Sequence, residues 1–252
     1  MSDRRVQIEN LDGICTITLD SPHNRNALST QLVAELTSAL DDAAADDAVR
    51  IVVLTHTGGT FCAGADLSES SATNPQMAPF GLIGVMRRIV ESPKPVIGRI
   101  DGHVRAGGTG LLAATDIAIC SSKATFAFTE SLLGLAPAVI SLTLLPRLTS
   151  RAANRYYLTG EKFGIDIAAQ IGLISIASSD LDADVTAMCN QLRLASPQGL
   201  RESKALQTRD MLAYFDSDAE RLVALSLSLF ESEEAHEGMK SFLEKRPPRW
   251  AR

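Results

Sequence analysis

A chain of 252 residues can form one sizeable domain, or a domain with an appendage, and can bury a substantial core. Hydrophobic residues make up 45% and charged residues 21%, the balance of a soluble globular protein. The net charge of −6, with basic residues scattered, argues against a nucleic-acid partner but leaves room for local cationic spots that hold a phosphorylated cofactor.

Residues 6–20 alternate and read as a hairpin turning at Leu11-Asp12-Gly13. Ser29 is an N-cap for a helix over 30–45, because Leu32, Leu36 and Leu40 share one face. A short buried strand follows at 51–54. Residues 69–76, rich in Ser, Thr, Asn and Pro, read as an exposed or mobile loop. A helix is expected over 80–90, closed by Pro93 and Pro95. Strands at 95–100, 116–120 and 125–128 then interleave with a helix at 107–114, and this alternation predicts an α/β core. Beyond residue 142 the pattern is mostly helical, over 151–158, 165–170, 182–194 and 202–233. The Gln198-Gly199 pair reads as a break, which divides the chain into a core over 1–196 and a helical C-terminal region over 197–252.

The four cysteines, Cys15, Cys62, Cys120 and Cys189, show neither C-x-x-C spacing nor a nearby histidine, so no metal site is expected. Cys15 and Cys120 lie in apolar strand-like runs as buried thiols, a usage that suits a reducing cytoplasm. No apolar stretch follows Met1-Ser2-Asp3-Arg4-Arg5 as a secretory signal would require, and no apolar run is long enough for a membrane span.

Two glycine-bearing segments carry most of the functional information: Phe61-Cys62-Ala63-Gly64-Ala65-Asp66 and Ala106-Gly107-Gly108-Thr109-Gly110. Each follows a strand-like run and leads towards residues that read as helix. Such glycines ordinarily serve only the turn. They also let a ligand approach the backbone, whose free N–H groups can then point at one negatively polarised oxygen. Two turns converging in this way would form an oxyanion hole. The spacing fits neither a dinucleotide fingerprint nor a phosphate-cradling loop, and no G-x-S-x-G elbow or H-E-x-x-H occurs.

Glu130 sits where the strand at 125–128 gives way to an expected helix, among Phe126, Phe128, Leu132 and Leu133. Two readings stand: a capping or solvated glutamate, or a desolvated carboxylate whose raised pKa suits acid/base work. Asp66 reads as a first-turn acid placed for the helix dipole. His23, His56, His103 and His236 are isolated, in keeping with surface or turn roles.

The chain resembles the enoyl-CoA hydratase/isomerase (crotonase) superfamily over nearly its whole length. The matching pieces, in order, are Asn26-Ala27-Leu28, the segment from Phe61 to Leu67, Asp101-Gly102 leading into Ala106-Gly107-Gly108, and Asp116-Ile117-Ala118-Ile119. Phe126 with Glu130 and Leu133-Gly134 follow, then Arg155 to Glu161, and Glu237-Gly238-Met239 through Phe242-Leu243-Glu244-Lys245-Arg246. The resemblance implies an α/β spiral of ββα units, with a helical C-terminal region that builds trimers, often paired into hexamers. It implies acyl-CoA as substrate, no separate cofactor, and a thioester oxygen held by the backbone N–H groups of Ala65 and Gly107. By the same resemblance Arg25, Ala27 and Ala63 line the CoA adenine and phosphate region. Phe242 and Lys245 match positions that reach a neighbouring subunit's CoA.

One departure bears on the chemistry. Two-glutamate hydratases of this family carry one glutamate after the glycine turn, where this chain has Gly110, and a second that matches Glu130. Three readings follow. The first is a hydratase in which Glu130 alone deprotonates water and returns a proton to the α-carbon; the run 133–141 resembles members acting on branched or carboxylated enoyl-CoAs. The second is a Δ3,Δ2-enoyl-CoA isomerase using the same single glutamate. The third is an acyl-CoA-binding protein without turnover. Dienoyl isomerases and aryl-CoA dehalogenases place an aspartate about eight residues after that glutamate, where this chain has Ala138. Arg105 either reaches an acyl carboxylate or points to solvent, and an acid on the 69–76 loop could compensate for Gly110.

Overall fold

The computed structural model describes residues 4–66, 69 and 77–251. The chain opens with a hairpin of β1 (Val6–Leu11) and β2 (Ile14–Leu19), joined by a two-residue turn in which Asp12 and Gly13 both have positive φ, 49° and 76°. Helix α1 (Thr30–Ala45) follows, and its N-cap Ser29 Oγ accepts from Leu32 N at 3.2 Å. Leu32, Leu36 and Leu40 recur every fourth residue and are buried, each stabilising the fold by roughly 1.5–3 kcal/mol.

Three turns of one repeating unit come next. The first runs β3 (Ile51–His56), β4 (Thr60–Cys62), α2 (Met77–Glu91). The second runs β5 (Val96–Ile100), β6 (His103–Arg105), α3 (Gly107–Ala114). The third runs β7 (Ile117–Ser121), β8 (Phe126–Ala127), a 3-10 turn (Glu130–Leu133) and α4 (Ser141–Leu144). The first strand of each unit joins one large sheet, and the second joins a small parallel sheet of order β4-β6-β8. This is the ββα spiral that the resemblance implied.

Helices α5 (Ser150–Thr159) and α6 (Ile165–Gln170), strand β9 (Ile176–Ser178) and α7 (Leu181–Leu194) complete the core region. With β9 in place the large sheet runs β1-β2-β3-β5-β7-β9, parallel except for the first pair. β3 is buried at all six positions, on both faces of the sheet, which is why its first four residues read as one continuous apolar run.

The last two described helices are α8 (Pro197–Phe230) and α9 (Glu233–Leu243). Gln198 and Gly199 do not interrupt the chain: they lie in the first turn of α8, where Ser196 Oγ accepts from Gly199 N at 3.0 Å. The break is the N-cap itself. Met211, Phe215 and Leu222 of α8 belong to the same hydrophobic core as the spiral. Lys204 pins α8 from within, its Nζ donating to Ile89 O (2.8 Å), Lys94 O (3.1 Å) and Asp116 Oδ2 (2.7 Å). Helix α9 folds back onto the 3-10 turn. A Cβ on Gly238 would come within 2.3 Å of Leu133 O, so glycine is required for that approach.

No described helix is long and apolar enough to cross a membrane. All four cysteines are buried free thiols. Of the loop expected over 69–76, Glu69 is exposed and its carboxylate accepts from Thr30 N (2.8 Å) and Oγ1 (2.9 Å), capping α1; residues 70–76 lie outside the described residues.

Candidate active site

The small sheet, the turns after its three strands and the C-terminal helices surround a cavity of about 600 Å³. Both glycine turns reach it. They emerge from the short strands β4 and β6 of the small sheet, rather than from the longer apolar runs that the sequence singled out. A Cβ on Gly64 would lie 2.9 Å from Ala106 Cβ and 3.3 Å from Gly107 N, so the two turns touch and only glycine fits at 64, where φ is +95°. Leu28 N donates to Gly64 O at 2.8 Å and fixes the first turn in a one-residue parallel bridge with Ala65. Ala106 holds the second turn in a strained conformation, φ 44° and ψ −122°, just before the helix. Ala65 and Gly107 both line the cavity, and neither backbone N–H has an acceptor among the described residues.

Among the described residues, the second turn is the one that opens a helix directly. Gly107 is the first residue of α3, so the helix dipole acts there. The first turn ends at Asp66, which is not helical and accepts from Asn24 Nδ2 at 3.0 Å; the dipole role expected for that acid does not hold.

Glu130 lines the same cavity. It begins a 3-10 turn of four residues, not the longer helix the pattern predicted, because Gly134 turns left-handed at φ 72° and closes it. The residue as a whole is half-buried, yet its Oε2 is closed to solvent and accepts no hydrogen bond. Burial raises its pKa to about 7, opposed only by its own backbone N–H. Its Oε2 therefore neither caps a backbone N–H nor meets solvent. Burial, with the Glu130 carboxylate adding to it, also pushes the Tyr157 phenol up; that hydroxyl lies 3.3 Å from Ser141 Oγ.

The other expected residues divide. Arg25, exposed and left-handed at φ 60°, lines the cavity together with Ala63. Ala27 is buried and does not line it. Phe242 of α9, 60% exposed, lines this chain's own cavity, whereas Lys245 is exposed and off it. Sequence reasoning passed over His103 and Lys162, which also line the cavity. The polar–apolar–polar run His103-Val104-Arg105 was the available signal, since a strand with one buried face alternates in that way. Among the described residues no cluster of His, Cys, Asp and Glu could hold a metal ion.

The sequence profile of the enoyl-CoA hydratase/isomerase family matches residues 9–252. The chain belongs to that family. A crystal structure of an enoyl-CoA hydratase from Mycobacterium avium superposes with a TM-score of 0.93 at 53% identity, covering 99% of this chain and 100% of that one. A Thermus thermophilus protein provisionally named as an enoyl-CoA hydratase is 32% identical over 97% of this chain and 100% of its own length. A 4-chlorobenzoyl coenzyme A dehalogenase of Arthrobacter is 31% identical over 81% of this chain and 78% of its own. The fold is thus that of a crotonase-type enoyl-CoA hydratase/isomerase.

Within that fold, position 110 is closed. A Cβ on Gly110 would meet Ile140 Cγ2 at 2.6 Å and Met86 Sδ at 2.8 Å. The first glutamate of the two-glutamate pattern is not merely missing here, since apolar atoms stand where its side chain would start. Glu69 does not compensate, being engaged at the start of α1 and absent from the cavity lining. Ala138 is buried in the cavity wall and offers no carboxylate either.

Proposed function

We propose that the protein is an enoyl-CoA hydratase that adds water across the 2,3 double bond of an acyl-CoA thioester with one carboxylate. The observation that carries this is Glu130: a sealed, unpartnered carboxyl oxygen with a pKa of about 7, in the cavity that also receives two unpaired backbone N–H groups.

In this reading the thioester oxygen accepts from Ala65 N and Gly107 N, and both bonds strengthen as the oxygen becomes an enolate. Losing one such donor ordinarily costs about 2.7–4 kcal/mol of transition-state stabilisation. Glu130, ionised, takes a proton from water while the water oxygen bonds to C3 and the π electrons move to the thioester oxygen. The protonated Glu130 then delivers that proton to C2 as the carbonyl re-forms. A pKa near 7 makes both protonation states accessible at neutral pH. CoA enters as part of the substrate, with Arg25 and Ala63 on the side of its nucleotide and Phe242 at the rim.

A second reading, the Δ3,Δ2-enoyl-CoA isomerase, is favoured by the wall of Ile140 and Met86 at Gly110, which leaves no room at that position for a second carboxylate to hold water. Glu130 would then move one proton between C2 and C4. Aryl-halide displacement is disfavoured, because Ala138 cannot act as a nucleophile. A homotrimer or dimer of trimers accompanies either reading, in keeping with the exposed Leu206, Leu225 and Leu243 on α8 and α9.

The test follows the conjugated-enoyl absorbance of 2-enoyl- and 3-enoyl-CoAs with wild type and Glu130→Gln. Loss of absorbance from a 2-enoyl-CoA, reduced about 100- to 10,000-fold in the variant, is the expected result. A gain from a 3-enoyl-CoA establishes the isomerase. Full turnover by Glu130→Gln refutes both, and binding without turnover on any ester leaves a binding protein.

A further inference from the structure

The cavity lining holds three basic side chains that the hydration chemistry leaves unused: His103 and Arg105 from β6, and Lys162. The guanidinium of Arg105 is held in place. Its Nη1 donates to Val104 O (2.9 Å) and Thr125 O (2.5 Å), and its Nη2 donates to Thr125 Oγ1 (2.8 Å). All three acceptors are neutral, so the charge is uncompensated. Of its five N–H groups, Nε–H and the outer Nη2–H have no acceptor among the described residues. They form the side-on fork that matches two oxygens of a carboxylate or phosphate. Arg105 lines the cavity, and its Nε, without a partner, is not among the solvent-sealed polar atoms, so that N–H is open to a ligand.

His103 is fixed in the same network. Its Nδ1 lies 3.0 Å from Thr125 Oγ1. That hydroxyl accepts from Arg105 and keeps its own hydrogen to give, which matches an imidazole that accepts at Nδ1 and holds its proton on Nε2. Lys162 pairs with no carboxylate among the described residues. Glu161, next to Lys162, pairs with Arg155 at 2.6 Å, and Asp101, two residues before His103, pairs with Lys123 at 2.8 Å; Asp166, four residues after Lys162, does not line the cavity. In a protein of net charge −6, one cavity wall therefore presents several donors, two of them cations, and no acid.

We propose that Arg105, with His103 and Lys162 beside it, is a second anion-recognition site of the cavity and binds a carboxylate or phosphate oxygen pair of the ligand. The inference rests on the acyl-CoA reading above. The anion comes either from a carboxylate on the acyl group or from the phosphates of the CoA portion.

Calorimetric titration of the full-length protein with three probes tests it: crotonyl-CoA, glutaconyl-CoA (the same enoyl unit with a terminal carboxylate) and crotonyl-pantetheine, which has no phosphate. Arg105→Met is expected to weaken the anion-bearing probe about 10- to 100-fold, the loss of a charged, paired hydrogen bond. A penalty on crotonyl-CoA that vanishes with crotonyl-pantetheine assigns the phosphates. A penalty larger on glutaconyl-CoA than on crotonyl-CoA assigns the acyl carboxylate. An equal loss on all three probes, or none, overturns the proposal. Should Arg105→Met fail to fold, Lys162→Met, on an exposed side chain, reads the same ratios at about threefold, and an anion-independent effect there overturns it as well. If the wild type binds none of the probes, the acyl-CoA reading fails instead.

Discussion

Gly110→Ala probes the feature that separates this site from a two-carboxylate one. The added methyl would sit 2.6 Å from Ile140 Cγ2, 2.8 Å from Met86 Sδ and 3.0 Å from Ile140 Cβ, against an ordinary carbon contact of about 3.5–4.0 Å. Met86 can swing away, because its thioether chain has three rotatable bonds. Ile140 cannot, being stiff at its β-branch, and its carbonyl accepts from Thr143 Oγ1 (3.3 Å), which also donates to Gly110 O at 3.0 Å. Overpacking of this kind costs about 1–3 kcal/mol, while alanine in a helix interior returns up to about 1 kcal/mol over glycine. The net expectation is a loss of about 1–2 kcal/mol, which lowers Tm by roughly 2–8 °C in a domain of this size. Urea denaturation of a double-mutant cycle measures it. Ile140→Ala alone opens a void and costs about 2–5 kcal/mol. In the double variant the new methyl partly fills that void, so the combined loss should fall short of the sum by about 1–2 kcal/mol. A Gly110→Ala protein more stable than wild type, or strict additivity in the cycle, refutes the claim that Ile140 closes this position.

Glu130 titrates near 7 in the folded protein but near its ordinary 4.5 when unfolded, so between those values the native state holds the extra proton. Its contribution is complete at low pH and is lost as pH rises through about 7; Glu130→Gln should gain on wild type by on the order of 3 kcal/mol from pH 4.5 to 8. Parallel urea midpoints across that range would refute the sealed environment of the carboxyl. Burial pushes Asp116 up and Lys204 down even though each faces the other at 2.7 Å, so the pair depends on its partnership. Lys204→Met should cost about 3–5 kcal/mol by chemical denaturation, partly recovered by adding Asp116→Asn; a loss under about 1 kcal/mol would show that α8 is not pinned there.

Most elements were legible because each stands on a local signal. The helix at 107–114 and the helix at 165–170 occupy the expected residues, and the Ser29 cap is in place. The misses share a physical cause. Strands β4, β6 and β9 are three residues long, which leaves at most one polar–apolar–polar step to read, so they were not expected, whereas β8 falls within the strand expected over 125–128. Gly199 read as a breaker because the cap three residues earlier was overlooked.

The sequence by itself determined the α/β class, the glycine turns, the glutamate and the family pattern, since these depend on side-chain type and short spacing. What Glu130 is could not be read from its neighbours: its sealed Oε2 and raised pKa come from the burial that the folded chain imposes. The contact of Gly64 with Gly107, forty-three positions on, the closure of position 110 by Ile140 and Met86, and the meeting of Arg105, His103 and Lys162 are likewise matters of distance in space. A spiral brings the ends of successive turns together, so groups remote along the chain become neighbours only after each strand has found its sheet.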